Sequence, residues 1–256
     1  MPPKQITFGV ATCLWRRPHI ARAMMRYYVR AGKVLEPHGI RIVGCAAGSE
    51  GATSERLARS AGFKYVEYSN KHLSTKWNAA VAQLRSCDAI LVVGSDDWIS
   101  HRMLLAYAKL IRQGIEYIGL LDQFFLDAKS RELIRFRGYD GPRRGEPVGI
   151  GRCLSKSLVG RLNGKLWPKG YRRGLDGKMT LRIKAMGRPL RAKIGPMRSF
   201  GVGCAAIDIK SSTNIWGLEA FRSRSSVCLG QWTATKNLSR KDRSELDEAM
   251  RRDSMG

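Results

Sequence analysis

The chain has 256 residues, 43% of them apolar and 26% charged, and its 46 lysines and arginines outnumber 21 acids for a formal charge of +25. That length suits one large domain or two small ones with ample material for a core. No apolar run approaches the ~20 residues that would cross a bilayer, which excludes a helical membrane span. The basic excess is uneven. Residues 129–198 hold 20 basic and 4 acidic residues, while residues 1–128 hold 17 and 10. A field of this kind favours a polyanionic partner, most often nucleic acid, although a solvated cationic face would give the same count. The cysteines are scattered with no C-x-x-C spacing, which predicts free thiols in a reducing compartment. Met1–Ile6 is short and polar, so no signal peptide is read there and the expected location is cytoplasmic.

In chain order, Ile6–Cys13 reads as a strand, and Arg16-Arg17-Pro18 opens a helix with proline in its first turn. Ile20, Met24 and Tyr28 share one face of that helix. Ile40–Cys45 is a second strand, followed by the loop Ala46–Gly51. Ser54–Ala61 is a short helix closed by Gly62, and Phe63–Tyr68 is a third strand. Ser74 is placed to cap a helix carrying Trp77, Val81 and Leu84. Ile90–Val93 is a short apolar strand, Ser100 caps a helix that ends at Gly114, and Tyr117–Leu121 is a further strand. Phe124–Arg137 alternates like a hairpin, and Gly138–Gly149 is a loop or flap rich in Gly, Pro and Arg. Leu154–Leu162 and Leu175–Met186 have helical spacing, Ala205–Ile209 reads as a strand, and Ser239–Arg252 as a charged helix.

Alternating strands and helices predict an α/β fold with a mostly parallel, Rossmann-like sheet flanked by helices. No linker separates the halves. One continuous domain is expected, with residues 4–122 binding a nucleotide, 123–238 forming a basic acceptor-facing half and 239–256 a charged terminal helix. Right-handed crossovers bring Gly9–Leu14, Ala46–Gly51 and Gly94–Trp98 to one sheet edge, where open α/β sheets bind ligands. Neither a G-x-G-x-x-G nor a P-loop pattern is present.

The strongest local signal is Gly94-Ser95-Asp96-Asp97-Trp98 at the end of the Ile90–Val93 strand. Two adjacent carboxylates repel, so a metal ion, a substrate cation or solvent must offset them. A turn or helix-cap role is the plain alternative. Asp176 is the single acid between Glu146 and Asp208, in surroundings dense with Arg and Lys that keep it ionised. It can serve as a general base, or simply favour a helix start. Lys76 and Asn78 can orient a ligand or lie on an ordinary helix face. Lys210, after the late strand and near Asn214, can offset phosphate charge. Trp77 and Trp98 can stack on a sugar or base, or fill core. Arg143, Arg144, Lys169, Arg172, Arg173, Arg188 and Arg191, interleaved with Tyr139, Trp167 and Tyr171, form the pattern in which cations meet phosphates and aromatics stack on bases.

Four segments together resemble the GT-A-type glycosyltransferases of the broad, family 2-like group that uses nucleotide-diphospho-sugars. Gly9-Val10-Ala11-Thr12-Cys13-Leu14-Trp15-Arg16-Arg17 is similar to the strand and turn that cradle the nucleobase. Lys76-Trp77-Asn78-Ala79-Ala80 is similar to the helix preceding the metal strand, Gly94–Trp98 to the acidic metal motif, and Gly174–Met179 to the segment that supplies a catalytic carboxylate. The resemblance implies a divalent metal (Mn²⁺ or Mg²⁺) on Asp97 and Asp96. It implies donor contacts from Thr12, Leu14, Arg16, Glu50, Lys76, Asn78, Ser95, Asp96 and Lys210, catalysis by Asp176 and, with the charge pattern, acceptor contacts from Arg143, Arg144, Trp167, Tyr171, Arg172 and Arg173. The family's acidic motif has aspartates two apart, where Gly94 or Ser95 stands here. Its late histidine is also missing, since His19, His38, His72 and His101 all precede residue 102. The expected activity is inverting transfer of a hexose from a UDP-type donor to a hydroxyl. The expected acceptor is a hydroxymethylated base in DNA, as in bacteriophage base hypermodification. The alternatives are a glycan or lipid-linked acceptor, and a non-catalytic nucleic-acid-binding protein on the same scaffold.

Overall fold

A computed structural model describes residues 4–187, 189–214, 217–227 and 238–255. Seven strands form the main sheet in the order β10-β6-β9-β4-β1-β2-β3, built from β1 (Ile6–Cys13), β2 (Ile40–Gly48), β3 (Lys64–Glu67), β4 (Ala89–Val92), β6 (Tyr117–Leu120), β9 (Arg152–Ser155) and β10 (Ala192–Gly195). All run parallel except β9, which lies antiparallel between β4 and β6. The second sheet, β12-β8-β7-β11-β5, contains β5 (Asp97–Ile99), β7 (Gln123–Asp127), β8 (Leu133–Phe136), β11 (Ala206–Lys210) and β12 (Ser225–Val227). The fold class is therefore the α/β, mostly parallel arrangement that the alternation predicts. The carboxyl ends of β1, β2, β3 and β4 share one edge.

Side-chain alternation in β1 divides the interior. Phe8, Val10 and Leu14 pack into a core under α1 (Pro18–Leu35) and α4 (His101–Arg112), while Ala11 joins a second core with Trp77, Val81, Leu154, Leu158 and Trp167. The second core lies beneath α3 (Leu73–Ala82), α5 (Lys156–Arg161) and α6 (Leu175–Lys184). Helix α2 (Ala52–Ser60) links β2 and β3 and closes at Gly62, whose φ is +85°. Ser100 caps α4 by accepting from the Met103 amide at 3.3 Å, as expected. The 124–137 hairpin is present, with Phe125 opposite Ile134. Cys13, Cys45, Cys87, Cys153 and Cys204 are free thiols, as expected; Cys228 lies outside the described residues.

Two expectations are corrected. The segment from Leu154 is strand before it is helix: Arg152–Ser155 forms β9, and the helix begins only at Lys156. Ser74 sits inside α3 rather than at its cap, and its hydroxyl accepts from the Tyr171 amide at 3.1 Å.

The terminal helix α7 (Arg240–Met255) docks along α1 and buries Leu246 and Met250. Arg30 pairs with Asp242 at 2.5 Å and with Glu245 at 2.7 Å. Asp253 accepts from the amides of His19 at 3.3 Å and Ile20 at 2.8 Å. Helix α1 has no cap from its own chain neighbours, because Arg17 is left-handed there. Asp253 fills that role from another helix, satisfying otherwise orphaned donors at the positive end of the helix dipole.

Candidate functional site

The acidic motif is the turn by which the chain leaves the main sheet and enters the second one. Gly94–Asp96 links β4 to β5, and β5 pairs antiparallel with β11, placing Asp97 directly opposite Asp208. Like charges opposed across a ladder are destabilising. Asp96 adds a third, and one carboxylate oxygen from each of the three lies within 4.8 Å of the others. Asp208 was not singled out as a ligand in the sequence. Its signal was the alternation of β11, where Asp208 and Lys210 share one face of an otherwise apolar strand.

Gly94 explains the spacing of the motif. A Cβ there would sit 2.6 Å from Asp96 Oδ1 and 3.1 Å from Asp97 Oδ2, so both carboxylates fold back over a residue without a side chain. The Gly94 amide donates to Asp97 Oδ2, and the Asp96 carbonyl accepts from the Ile209 amide at 2.9 Å. From α1, Tyr28 and Tyr27 donate to the carbonyls of Asp97 and Ile99 at 3.3 and 2.7 Å.

Burial, with the charges of Asp208 and Asp96, pushes the Asp97 carboxyl well above the usual carboxylate range. Burial likewise pushes Asp208 up to about 6, against the opposing pull of Lys210. Two cations answer the three acids. Lys210 Nζ donates to Asp208 Oδ2 at 2.8 Å and lies 4.4 Å from the Phe125 ring centroid. Arg17 Nη1 donates to Asp96 Oδ2 at 2.5 Å and to Asn214 Oδ1 at 3.0 Å. Arg16 and Arg17 both have left-handed backbones (φ +55° and +43°), a strain of about 1–3 kcal/mol each that aims the Arg17 side chain across the sheet edge. The guanidinium of Arg16, expected at the donor, stacks on exposed Trp15 at 4.4 Å, while Arg17, not among the residues expected there, is the one that reaches Asp96.

These three acids suit a hard divalent cation. All the ligands are oxygens, Asp96 and Asp97 are buried and Asp208 is half-buried, and Asp208 Oδ1 is a buried acceptor with no partner among the described residues. Asp97, Asp208 and Asp96 would hold the ion.

The other predicted donor residues gather at the neighbouring strand ends. Glu50 Oε2 accepts from the Arg16 amide and from Ser54 Oγ, both at 3.3 Å. Thr12 and Ser95 are buried, and Thr12 Oγ1 has no partner among the described residues. Leu14 is buried and ties β1 to β2 through the Ala47 carbonyl. Lys76 is fully buried, and its ammonium donates to Leu14 O, Ser49 Oγ and Asn70 Oδ1 at 2.6, 2.9 and 3.1 Å. Its three donors are thus satisfied within the protein, and it braces the strand edge. Asn78 is likewise engaged, clamping the Trp167 backbone at 2.8 and 3.2 Å. Trp77, Trp98 and Trp167, the last of them expected at the acceptor, are buried and pack in the core.

Asp176 lies in the first turn of α6. Its carboxylate accepts from Tyr139 at 2.8 Å and rests over Gly149. The buried guanidinium of Arg152 donates to the carbonyls of Asp176 (2.8 Å), Val148 (2.9 Å) and Pro147. Arg152 is opposite Val92 in the β4–β9 ladder, which places Asp176 at the sheet edge from which Gly94–Asp97 emerges. The predicted acceptor residues fall into two groups flanking α6. Arg143 covers the Tyr139 ring at 3.6 Å and pairs with Glu146, while Arg144 is exposed beside it. Tyr171 stacks under Lys178 at 4.5 Å, Arg172 donates to the Lys71 carbonyl at 2.7 Å, and Arg173 is exposed. The second group borders a hollow of about 480 Å³ lined by Tyr68, Ser69, Lys71, His72, Thr75 and Lys169. Arg188 lies outside the described residues, and Arg191 packs against Gly114.

The architecture so defined is an α/β sheet with an acidic cluster at its carboxyl edge. No protein-family model matches the chain, and no curated protein matches it. Among solved structures it is similar to a Drosophila β-1,4-galactosyltransferase 7 mutant in complex with manganese, UDP-Gal and xylobiose (12% identity, 92% of this chain, 80% of that one, TM-score 0.48). It is similar also to 4-diphosphocytidyl-2C-methyl-D-erythritol synthase from Anaerococcus prevotii (11%, 76%, 88%, 0.49). A third is CMP:2-keto-3-deoxy-manno-octonic acid synthetase complexed with CTP (14%, 75%, 90%, 0.45). These likenesses are of chain trace, and the reading of the site rests on its own geometry.

Proposed function

We propose that the chain is a metal-assisted glycosyltransferase that moves a sugar from a nucleotide-diphospho-sugar to a hydroxyl acceptor. The observation that carries this reading is the convergence of Asp96, Asp97 and Asp208 beyond the carboxyl end of β4, with a buried oxygen on Asp208 that has no partner among the described residues. A divalent metal there would neutralise charge on the leaving diphosphate. Arg17 and Lys210 supply further positive charge at the same edge. Asp176 is the base. It takes the proton of the acceptor hydroxyl as that oxygen bonds to the anomeric carbon and the bond to the diphosphate oxygen breaks, its electron pair leaving with the nucleotide diphosphate. Displacement from the opposite face inverts the anomeric centre. The hydrogen bond from Tyr139 orients the Asp176 carboxylate, and the flap residue Arg143 lies over the same ring.

The acceptor we favour is a hydroxymethylated base in DNA. Its support is the net positive charge of residues 129–198 and the exposure of Arg144, Lys169 and Arg173 on either side of α6. A base in a duplex would have to leave the stack to bring its hydroxyl to Asp176.

The test is transfer from labelled UDP-sugars to DNA containing 5-hydroxymethylpyrimidine, run in parallel with glycan and lipid-linked acceptors. Asp97→Asn, Asp208→Asn and Asp176→Asn should each lower kcat by at least about 10²-fold. Full activity of the Asp97 variant would overturn the metal role, and transfer to glycans alone would overturn the DNA acceptor.

A further inference from the structure

The acidic cluster leaves hydrogen-bonding capacity of both signs unused. Among the described residues, Asp208 Oδ1 is a buried acceptor without a partner, and Arg17 Nε is a buried donor without one. Asp96 Oδ2, in contrast, is doubly engaged: Arg17 Nη1 reaches it at 2.5 Å and Asn214 Nδ2 at 2.7 Å. Asn214 is itself held, since its Oδ1 accepts from the Ser211 amide at 2.7 Å and from Ser211 Oγ at 3.1 Å as well as from Arg17. Arg17 is thus clamped on one oxygen of a carboxylate that an incoming metal would share, while the Nε of its guanidinium is buried with no partner among the described residues. A guanidinium with a free edge is shaped to take two oxygens of a phosphate group.

We propose that Arg17 is an internal cation that competes with the metal for Asp96 and is handed to the diphosphate of the donor once the metal binds, so that metal and nucleotide bind cooperatively. The inference rests on the nucleotide-sugar reading of the site. Its physical basis is electrostatic. A dication on Asp96 expels Arg17, and the two like charges then repel across a buried site. A diphosphate placed between them relieves that repulsion and satisfies Arg17 Nε. Nucleotide alone finds Arg17 committed to Asp96, and metal alone must displace it without compensation. Each therefore improves the binding of the other by the same factor, as linkage requires.

The experiment is calorimetric titration of Mn²⁺ into the full chain with and without UDP, and of UDP with and without Mn²⁺. Wild type should show reciprocal tightening of about tenfold. Arg17→Gln should bind Mn²⁺ alone about tenfold more tightly than wild type, and UDP should improve that affinity by a clearly smaller factor than in wild type. Asn214→Ala keeps the charge of Arg17 but loosens its clamp. It should tighten Mn²⁺ binding more modestly and retain the coupling, and it decides the matter if Arg17→Gln fails to fold. Mn²⁺ affinity unchanged in Arg17→Gln, or coupling undiminished by that substitution, overturns the inference while leaving the site reading intact. So does independent binding of Mn²⁺ and UDP by wild type. Failure of wild type to bind either Mn²⁺ or UDP overturns both.

Discussion

Asp208 and Asp97 are residues whose local stability is given up for a site. A carboxyl raised from 3.8 to about 6, as Asp208 is, holds more protons folded than unfolded across that window. Its favourable contribution is therefore complete below about pH 4 and lost as pH rises through 6. At pH 7 without metal the charged form is a liability, up to about 3 kcal/mol for a shift of this size. Asp208→Asn should accordingly raise the metal-free melting temperature at pH 7 by several degrees and little or not at all at pH 4, measured by thermal unfolding. Added Mn²⁺ should stabilise wild type and not the variant, and its hold on wild type should weaken as pH falls below about 6. Gly94→Ala addresses the same cluster through shape. The added methyl would press on Asp96 Oδ1 and Asp97 Oδ2, so Mn²⁺ affinity should drop by about tenfold or more in a direct titration while the far-ultraviolet spectrum is unchanged.

At the scale of elements, Arg152 is the peg between β9, the flap and α6. Its guanidinium serves three carbonyls in a buried setting, so Arg152→Met should cost about 3 kcal/mol in chemical denaturation by leaving them unpaired. The element that carries Arg152 is also the one hardest to read in the sequence. A strand buried on both faces shows an apolar run without polar alternation, and Cys153–Leu154 leads straight into the apolar spacing of α5, so strand and helix merge into one helical reading. By contrast β1, β2, α1 and α4 carried their own marks: β-branched runs, Pro18 at a helix start and the Ser100 cap. The site was half legible for a related reason. Asp96 and Asp97 are adjacent in sequence, but Asp208 joins them only through the β5–β11 pairing, and a three-residue strand such as β5 leaves no periodicity to detect. Arg17 was hidden differently, since Arg16 and Arg17 are adjacent and alike in sequence, and only their side-chain partners, Asp96 for Arg17 and Trp15 for Arg16, tell them apart.

For the molecule as a whole, folding thins the basic field that the composition advertises. Arg135 pairs with Asp122, Arg143 with Glu146 and Arg161 with Glu116, and Arg152 is buried. The cations left facing solvent around α6 include Arg144, Lys169 and Arg173. If these three meet DNA phosphates, the logarithm of the binding constant should fall with the logarithm of salt concentration at a slope of about −3, and Arg173→Ala should reduce that slope by about one. A slope near zero in a filter-binding or anisotropy titration would remove DNA as the acceptor.

The cap that Asp253 places on α1 has a consequence for the order in which the molecule comes into being. His19 and Asp253 are separated by 234 positions, so the start of α1, and with it the left-handed turn that aims Arg17, is secured by a helix synthesised long after the main sheet. A nascent chain arrested before Arg240 emerges would carry its strands and its acidic turn but not the fastening that sets the arginine against it. Asp253→Ala mimics that state in the finished protein. It should cost about 1 kcal/mol of stability, and amide exchange should quicken first at His19 and Ile20, ahead of the sheet. The clamp of Arg17 on Asp96 would thus be the last part of this sheet edge to be fastened.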